Sequence, residues 1–176
     1  MIGGATALNN PVDRPPIDPA AKKQVLRLVT YGLYVLTSAA DGDLAAGTIT
    51  WLSQASFVPP LVMAGVRRDG HVHAVVERSG TFAVNVVGAG QREIASAFFR
   101  PSVVTAGRIS GYAFERGRAT GAPILTDLPA WFEARVTDAV RRGDHTIFVA
   151  ELVACGVRDP AVSPLALSDT SWSYAG

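Results

Sequence analysis

At 176 residues, 48% of them hydrophobic, the chain is long enough to bury one substantial core and short enough to form a single domain. Its formal charge is +1, and apart from Arg67-Arg68 and Arg141-Arg142 the basic residues are scattered, so no stripe tracks a phosphate backbone and the balance argues against nucleic-acid binding. No stretch stays apolar long enough to span a bilayer, Met1-Ile2-Gly3-Gly4-Ala5 lacks the positive flank of a signal peptide, and the single Cys155 has no partner for a disulfide, a combination that predicts a cytoplasmic protein.

Residues 1–17, rich in Gly, Asn and Pro, read as a flexible arm ahead of a folded domain over 18–176. Asp18 and Pro19 suit an N-cap and a first helical position, and Val25, Leu26, Leu28 and Val29 give an apolar face to a short helix ending near Tyr31-Gly32. Leu33 to Thr37 and Leu44 to Trp51 form a hairpin through Asp41-Gly42, a dipeptide that accepts positive φ. Pro59-Pro60 borders a third strand over Leu61 to Val66, since proline cannot join a central ladder. A short helix is expected from His73 to Arg78, a strand from Thr81 to Val87, and a helix from Gln91 to Phe99 that Pro101 stops. A polar, Gly-dotted stretch follows. Two long strands, Trp131 to Val140 and Thr146 to Val157, then flank the turn at Gly143-Asp144-His145. Cys155, inside Val153-Ala154-Cys155-Gly156-Val157, is expected to be a buried thiol. Many strands with short helices and no regular βαβ alternation predict a mainly β, antiparallel barrel with helical insertions.

Three places concentrate polar chemistry. The run Thr48 to Ser56 puts hydroxyls, the Gln54 amide and the Trp51 indole at a strand end, where they suit the edge and face of a planar polar heterocycle; as a bare pattern it is also a Ser/Thr-rich turn. Arg67-Arg68-Asp69-Gly70-His71-Val72-His73 sets two guanidinium groups and two imidazoles just before a helix, which suits an anion as well as an ordinary surface loop. His71 and His73 lack a third imidazole or a carboxylate at a recurrent ligand spacing, so no metal is expected. His145 closes a Gly-Asp turn, ordinary turn chemistry on its own. No Gly-x-Ser-x-Gly elbow, Gly-x-Gly-x-x-Gly fingerprint or Walker loop is present.

Taken in order, Tyr31-Gly32-Leu33-Tyr34-Val35-Leu36-Thr37, Thr48 through Ser56 with Pro59-Pro60-Leu61-Val62, and Ser79-Gly80-Thr81-Phe82-Ala83-Val84-Asn85-Val86 resemble the flavin reductase-like family. Gly121-Ala122-Pro123-Ile124-Leu125, Ala130-Trp131-Phe132-Glu133, Gly143-Asp144-His145-Thr146 and the close from Pro164 to Tyr174 extend the likeness. The resemblance implies a Greek-key, FMN-binding split β-barrel, a homodimer, and reduction of FMN by NADH or NADPH, with reduced flavin passing to a monooxygenase or another acceptor. It implies flavin contacts at Thr48, Thr50, Trp51, Leu52, Ser53, Gln54 and Ser56, and phosphate contacts at Arg67, Arg68, Gly70, His71 and His73, where the family commonly has hydroxyls in place of Gly70 and Val72. Gly143, Asp144 and His145 fall on the nicotinamide side, with His145 a positioning group. Likeness to the flavoredoxin branch implies an alternative, a flavoprotein that keeps FMN and passes electrons between proteins. A binder of haem or another planar ligand through His71 or His73 is a third reading.

Overall fold

In the computed structural model, residues 16–174 are described; the arm expected over residues 1–17 lies almost wholly outside them. Two units are distinguished, residues 16–29 with Tyr174, and Thr30–Ser173. The first contains helix α1 (Pro19–Arg27), started by the Asp18 carboxylate, which accepts from the Ala20 and Ala21 N–H groups. It ends earlier than the apolar residues suggest, and none of its residues is buried.

The second unit holds eleven described strands. β1 (Tyr34–Ala40) and β2 (Asp43–Ile49) pair through Asp41-Gly42, where both residues take positive φ, 51° and 84°, as a two-residue hairpin of this hand requires. β3 (Leu52–Ser56), β4 (Leu61–Arg67), β5 (Thr81–Val86), β10 (Ala130–Arg141) and β11 (His145–Val157) complete a seven-stranded sheet of order β2-β1-β5-β10-β11-β4-β3, antiparallel at every step. The β10–β11 hairpin is inserted between β5 and β4, the Greek-key crossing that was expected. β2 and β3 occupy opposite edges of this sheet yet follow each other in the chain through Thr50 and Trp51 alone. That link spans at most about 10 Å. The sheet therefore curls until its edges meet at one end, and no β2–β3 ladder joins them among the described residues: a barrel split along one seam.

Two large clusters hold most of the buried apolar residues, with a smaller third of Ala83, Ala122 and Ile124. Leu36, Ile49, Val62, Ala64, Val66, Phe82, Val84, Ala134, Phe148 and Ala150 fill the barrel interior together with Val76 of α2 (His71–Ser79). Burying each of the phenylalanines contributes about 2–3 kcal/mol. A second cluster, including Leu33, Val35, Leu44, Val87, Ile94, Phe98 and Leu165, packs beneath α3 (Arg92–Ala97) and the following segment. β1 supplies Leu36 to one core and Val35 to the other, which is why its first residues, Tyr34 to Leu36, read as apolar without alternation.

Two features depart from expectation. The Gly-dotted stretch forms a small sheet of β6 (Val104–Thr105), β7 (Arg108–Ile109), β8 (Tyr112–Arg116) and β9 (Pro123–Leu125). It is tied to the barrel by buried polar groups: Asn85 accepts from the Leu125 N–H at 2.8 Å, and Thr37 donates to the Pro123 carbonyl. Cys155 is exposed, because β4 pairs β11 only as far as Glu151 and the strand beyond is left with β10 as its single neighbour. Among the described residues no helix is long and apolar enough to cross a membrane.

Candidate functional site

The alternation of β4 and β11 decides which groups meet. Val62, Ala64 and Val66 point into the barrel with their partners Ala150, Phe148 and Thr146, so Met63, Gly65 and Arg67 share the outer face with Val149, Ile147 and His145. The main chain of the β2–β3 link joins the same sheet, since the Gly65 N–H donates to the Trp51 carbonyl at 2.8 Å. The indole then lies across Gly65. A Cβ built there would come within 2.8 Å of Trp51 Cε3 and 3.3 Å of Ile147 Cδ1, so only glycine permits this approach.

The other face of the Trp51 arrangement is His145, whose ring centroid is 4.3 Å from the indole centroid with the planes 38° apart. This contact brings together two segments remote in sequence, the expected flavin strand and the expected nicotinamide turn. His145 is buried, at 9% exposure. Its Nδ1 is hydrogen-bonded to the Asp144 carboxylate at 2.8 Å, and that bond holds the exposed Asp144 carboxyl below the usual range.

The loop after β4 lies against the same turn. Arg67 forks onto Asp69, lowering the Asp69 carboxyl. Gly70 is the N-cap of α2 and no side chain caps the helix, so its first N–H groups, from His71 onward, are left as donors that suit an anion. His71 is exposed and hydrogen-bonded to Asp43 at 3.0 Å, within a cluster that includes Arg78.

Three expected ligands are turned elsewhere. The Thr48 hydroxyl donates to the Ala95 carbonyl at 2.6 Å and fastens α3 to β2. His73 is buried, shares a 2.8 Å hydrogen bond with Thr146 and packs against Phe148; burial pulls its imidazole below the ordinary range. The reason is helical geometry: His71 and His73 are two residues apart, so they stand on different sides of α2. Arg68 donates to the Gly143 carbonyl at 3.3 Å. Neither histidine stands ready as a haem ligand, and among the described residues no cluster suits a metal ion.

The remaining residues fit a flavin. Thr50 is 6% exposed, and its hydroxyl is buried without a hydrogen-bond partner, an orphan that a ligand heteroatom would satisfy. β3 has β4 as its one ladder partner among the described residues, which leaves an edge of backbone donors and acceptors. Ser53 and Gln54 are exposed with local bonds only, and Ser56 is partly buried. Leu52, Ser53 and Gln54 also line a cleft of about 440 Å³ with Tyr34, Pro60, Leu61, Val62, Phe132 and Leu152. This cleft opens at the Leu61 end of β4, about 20 Å of strand from Arg67. Sequence reasoning missed Gly65, although strand alternation sets it on one face with Met63 and Arg67. It also missed the Glu77–Arg141 pair, which bridges α2 to the end of β10 at 3.0 Å and which no local pattern announces.

The sequence profile of the "Flavin reductase like domain" matches residues 26–174. An NADH-dependent flavin reductase of Pseudomonas fluorescens is 32% identical over 141 residues, covering 80% of this chain and 79% of that one. A flavin reductase (NADH) of Kitasatospora aureofaciens is also 32% identical, over 90% and 83% of the two chains. Among solved structures, an NADH:FAD oxidoreductase of Streptomyces globisporus in complex with NAD and FAD fragments superposes with a TM-score of 0.74 at 26% identity, covering 89% of this chain and 93% of that one.

Proposed function

The chain belongs to the flavin reductase-like family, and from that premise we infer that it is an NADH-dependent flavin reductase using FMN, which hands reduced flavin to a separate monooxygenase component. The contact between Trp51 and His145 carries the assignment of the site, because it makes one surface of the two segments that a flavin and a nicotinamide must share. When both are bound, the pair supplies the redox chemistry itself, a hydride passing from nicotinamide C4 to flavin N5.

The protein's part is to bind, orient and exclude water. The β3 edge and the Thr50 hydroxyl meet the polar rim of the isoalloxazine, while Trp51, Leu52 and the neighbouring apolar side chains cover its surface. Arg67, His71 and the N–H groups that follow Gly70 receive the phosphate, with the α2 dipole adding to the attraction. His145 orients the nicotinamide, braced by Asp144, and transfers no proton in the hydride step. We further propose a cytoplasmic location, where catabolism regenerates the NADH that such a reductase consumes.

We also assign a homodimer, formed through the outer face of the barrel. Met63 and Val140 are 43% and 51% exposed on that face, and Phe57 and Val58 at the β3–β4 turn are 84% and 90% exposed, an apolar strip beside the flavin edge.

Anaerobic mixing of the protein and FMN with NADH, and separately with NADPH, tests the reading. Rapid bleaching with the flavin then found in the filtrate is expected. Bleaching with flavin retained on the protein would indicate an electron-transfer flavoprotein of the flavoredoxin kind, and no bleaching with either nucleotide would remove the reductase reading.

A further inference from the structure

The turn that carries His145 has little in its own sequence to hold it. Arg142, Gly143 and Asp144 are all exposed, and Gly143 takes a φ of 86°, a conformation that glycine adopts without steric cost but does not enforce. The turn is nevertheless anchored from three sides. Arg68 reaches it twice, its backbone N–H donating to the Asp144 carbonyl at 3.0 Å and its guanidinium Nη1 to the Gly143 carbonyl at 3.3 Å. On the strand entering the turn, Arg141 donates to both Glu77 oxygens at 3.1 and 3.0 Å. On the strand leaving it, Thr146 is bonded to His73.

Of these anchors, Arg68 alone grips the two residues immediately before His145. We propose that Arg68 is a positioning residue for His145: it fixes the Gly143-Asp144 turn, and through it the imidazole against Trp51, and it does not hold the flavin phosphate. A guanidinium suits this task, because its charge strengthens a bond to a carbonyl and its planar fork is ordered before the bond forms. What His145 does in catalysis rests on the reductase reading above, whereas what Arg68 does rests on two hydrogen bonds. Truncating the side chain leaves the backbone bond to Asp144 in place, so Arg68→Ala retains the fold and releases only the Gly143 end of the turn.

The test compares the wild type with Arg68→Ala and Arg68→Lys. Dissociation constants for FMN and for riboflavin, which lacks the phosphate, come from flavin fluorescence. NADH KM and kcat come from anaerobic bleaching, and the emission of Trp51 is the difference between each protein and the same protein carrying Trp51→Phe. In Arg68→Ala the NADH KM rises about tenfold, the effect of losing one charge-assisted hydrogen bond, while kcat and both flavin constants stay within about twofold. Arg68→Lys recovers part of the KM. Trp51 emission shifts in Arg68→Ala as the imidazole leaves the indole. A weaker FMN constant beside an unchanged riboflavin constant would make Arg68 a phosphate ligand and overturn the proposal. So would an NADH KM and a Trp51 emission that both stay at wild-type values. If the wild type itself does not bleach flavin, the reductase reading falls, and Trp51 emission alone decides for Arg68: a shift upholds the positioning role and an unchanged spectrum removes it.

Discussion

His145 and Trp51 face each other across the end of the sheet, and each is placed by a neighbour: Asp144 for the imidazole, the bare Cα of Gly65 for the indole. Removing the imidazole should therefore affect the nicotinamide before the flavin. We expect His145→Ala to raise the NADH KM at least about tenfold while the FMN dissociation constant changes by less than about threefold, measured by steady-state kinetics and fluorescence titration; equal losses would contradict the role. His73 makes a different prediction. Desolvation lowers its pKa in the fold, partly opposed by Glu77 and reinforced by Arg68 and Arg141. Between that lowered value and the unfolded value of about 6.5, the unfolded chain holds a proton that the folded chain does not, so stability rises with pH across the window and falls on acidification. His73→Asn should flatten this slope in thermal melts taken at a series of pH values. The sequence shows both histidines of His71-Val72-His73 but not their fates, because sidedness on a helix becomes meaningful only when its packing partner, here Phe148, is known.

At the level of elements, the close approach of Trp51 to β4 is the most exacting contact. Gly65→Ala should cost about 1–3 kcal/mol of stability by forcing the indole or Ile147 aside, and it should weaken FMN binding in the same preparation. A full-strength FMN affinity in that variant would show that the indole does not border the flavin. Glu133 is a second such point. It is fully buried on β10, and its carboxylate accepts from the Ala119 and Thr120 N–H groups and from the Thr120 hydroxyl, holding the loop between β8 and β9. Glu133→Ala leaves those donors unsatisfied and should cost about 2–4 kcal/mol in chemical denaturation, with the flavin site spared.

Elements with a local cause were legible in the sequence. The Asp18 cap, the Asp41-Gly42 turn and the long apolar strands each carry their signal within a few residues. The four short strands from Val104 to Leu125 carry no periodicity, and β3 is too polar to stand out, since Ser53, Gln54 and Ala55 are exposed at an edge. Cys155 was expected inside because its neighbours are apolar, yet the half of the hairpin that carries it extends past β4.

For the molecule as a whole, the proposed homodimer rests on the exposed apolar residues of the barrel's outer face. Light scattering should give a particle of about twice the 18.5 kDa chain mass, and Met63→Glu, which puts a charge in the middle of the strip, should return it to monomer with loss of FMN affinity. A monomeric wild type would refute the dimer. The succession of strands and short helices was enough to indicate an antiparallel barrel, but the seam between β2 and β3 was not visible, since two strands joined by two residues ordinarily pair with each other.

That seam sets stability against function. A barrel that closed it with a full β2–β3 ladder would gain backbone hydrogen bonds and lose the exposed edge that invites aggregation, and selection for heat resistance would favour every step toward closure. The same steps would occupy the donors and acceptors that we assign to the flavin rim and draw the Thr50–Trp51 link away from His145. Consensus or computational stabilisation of this scaffold should therefore spare the stretch from Thr50 to Ser56 and concentrate on the opposite wall, where β1, β5 and β10 are already paired on both sides.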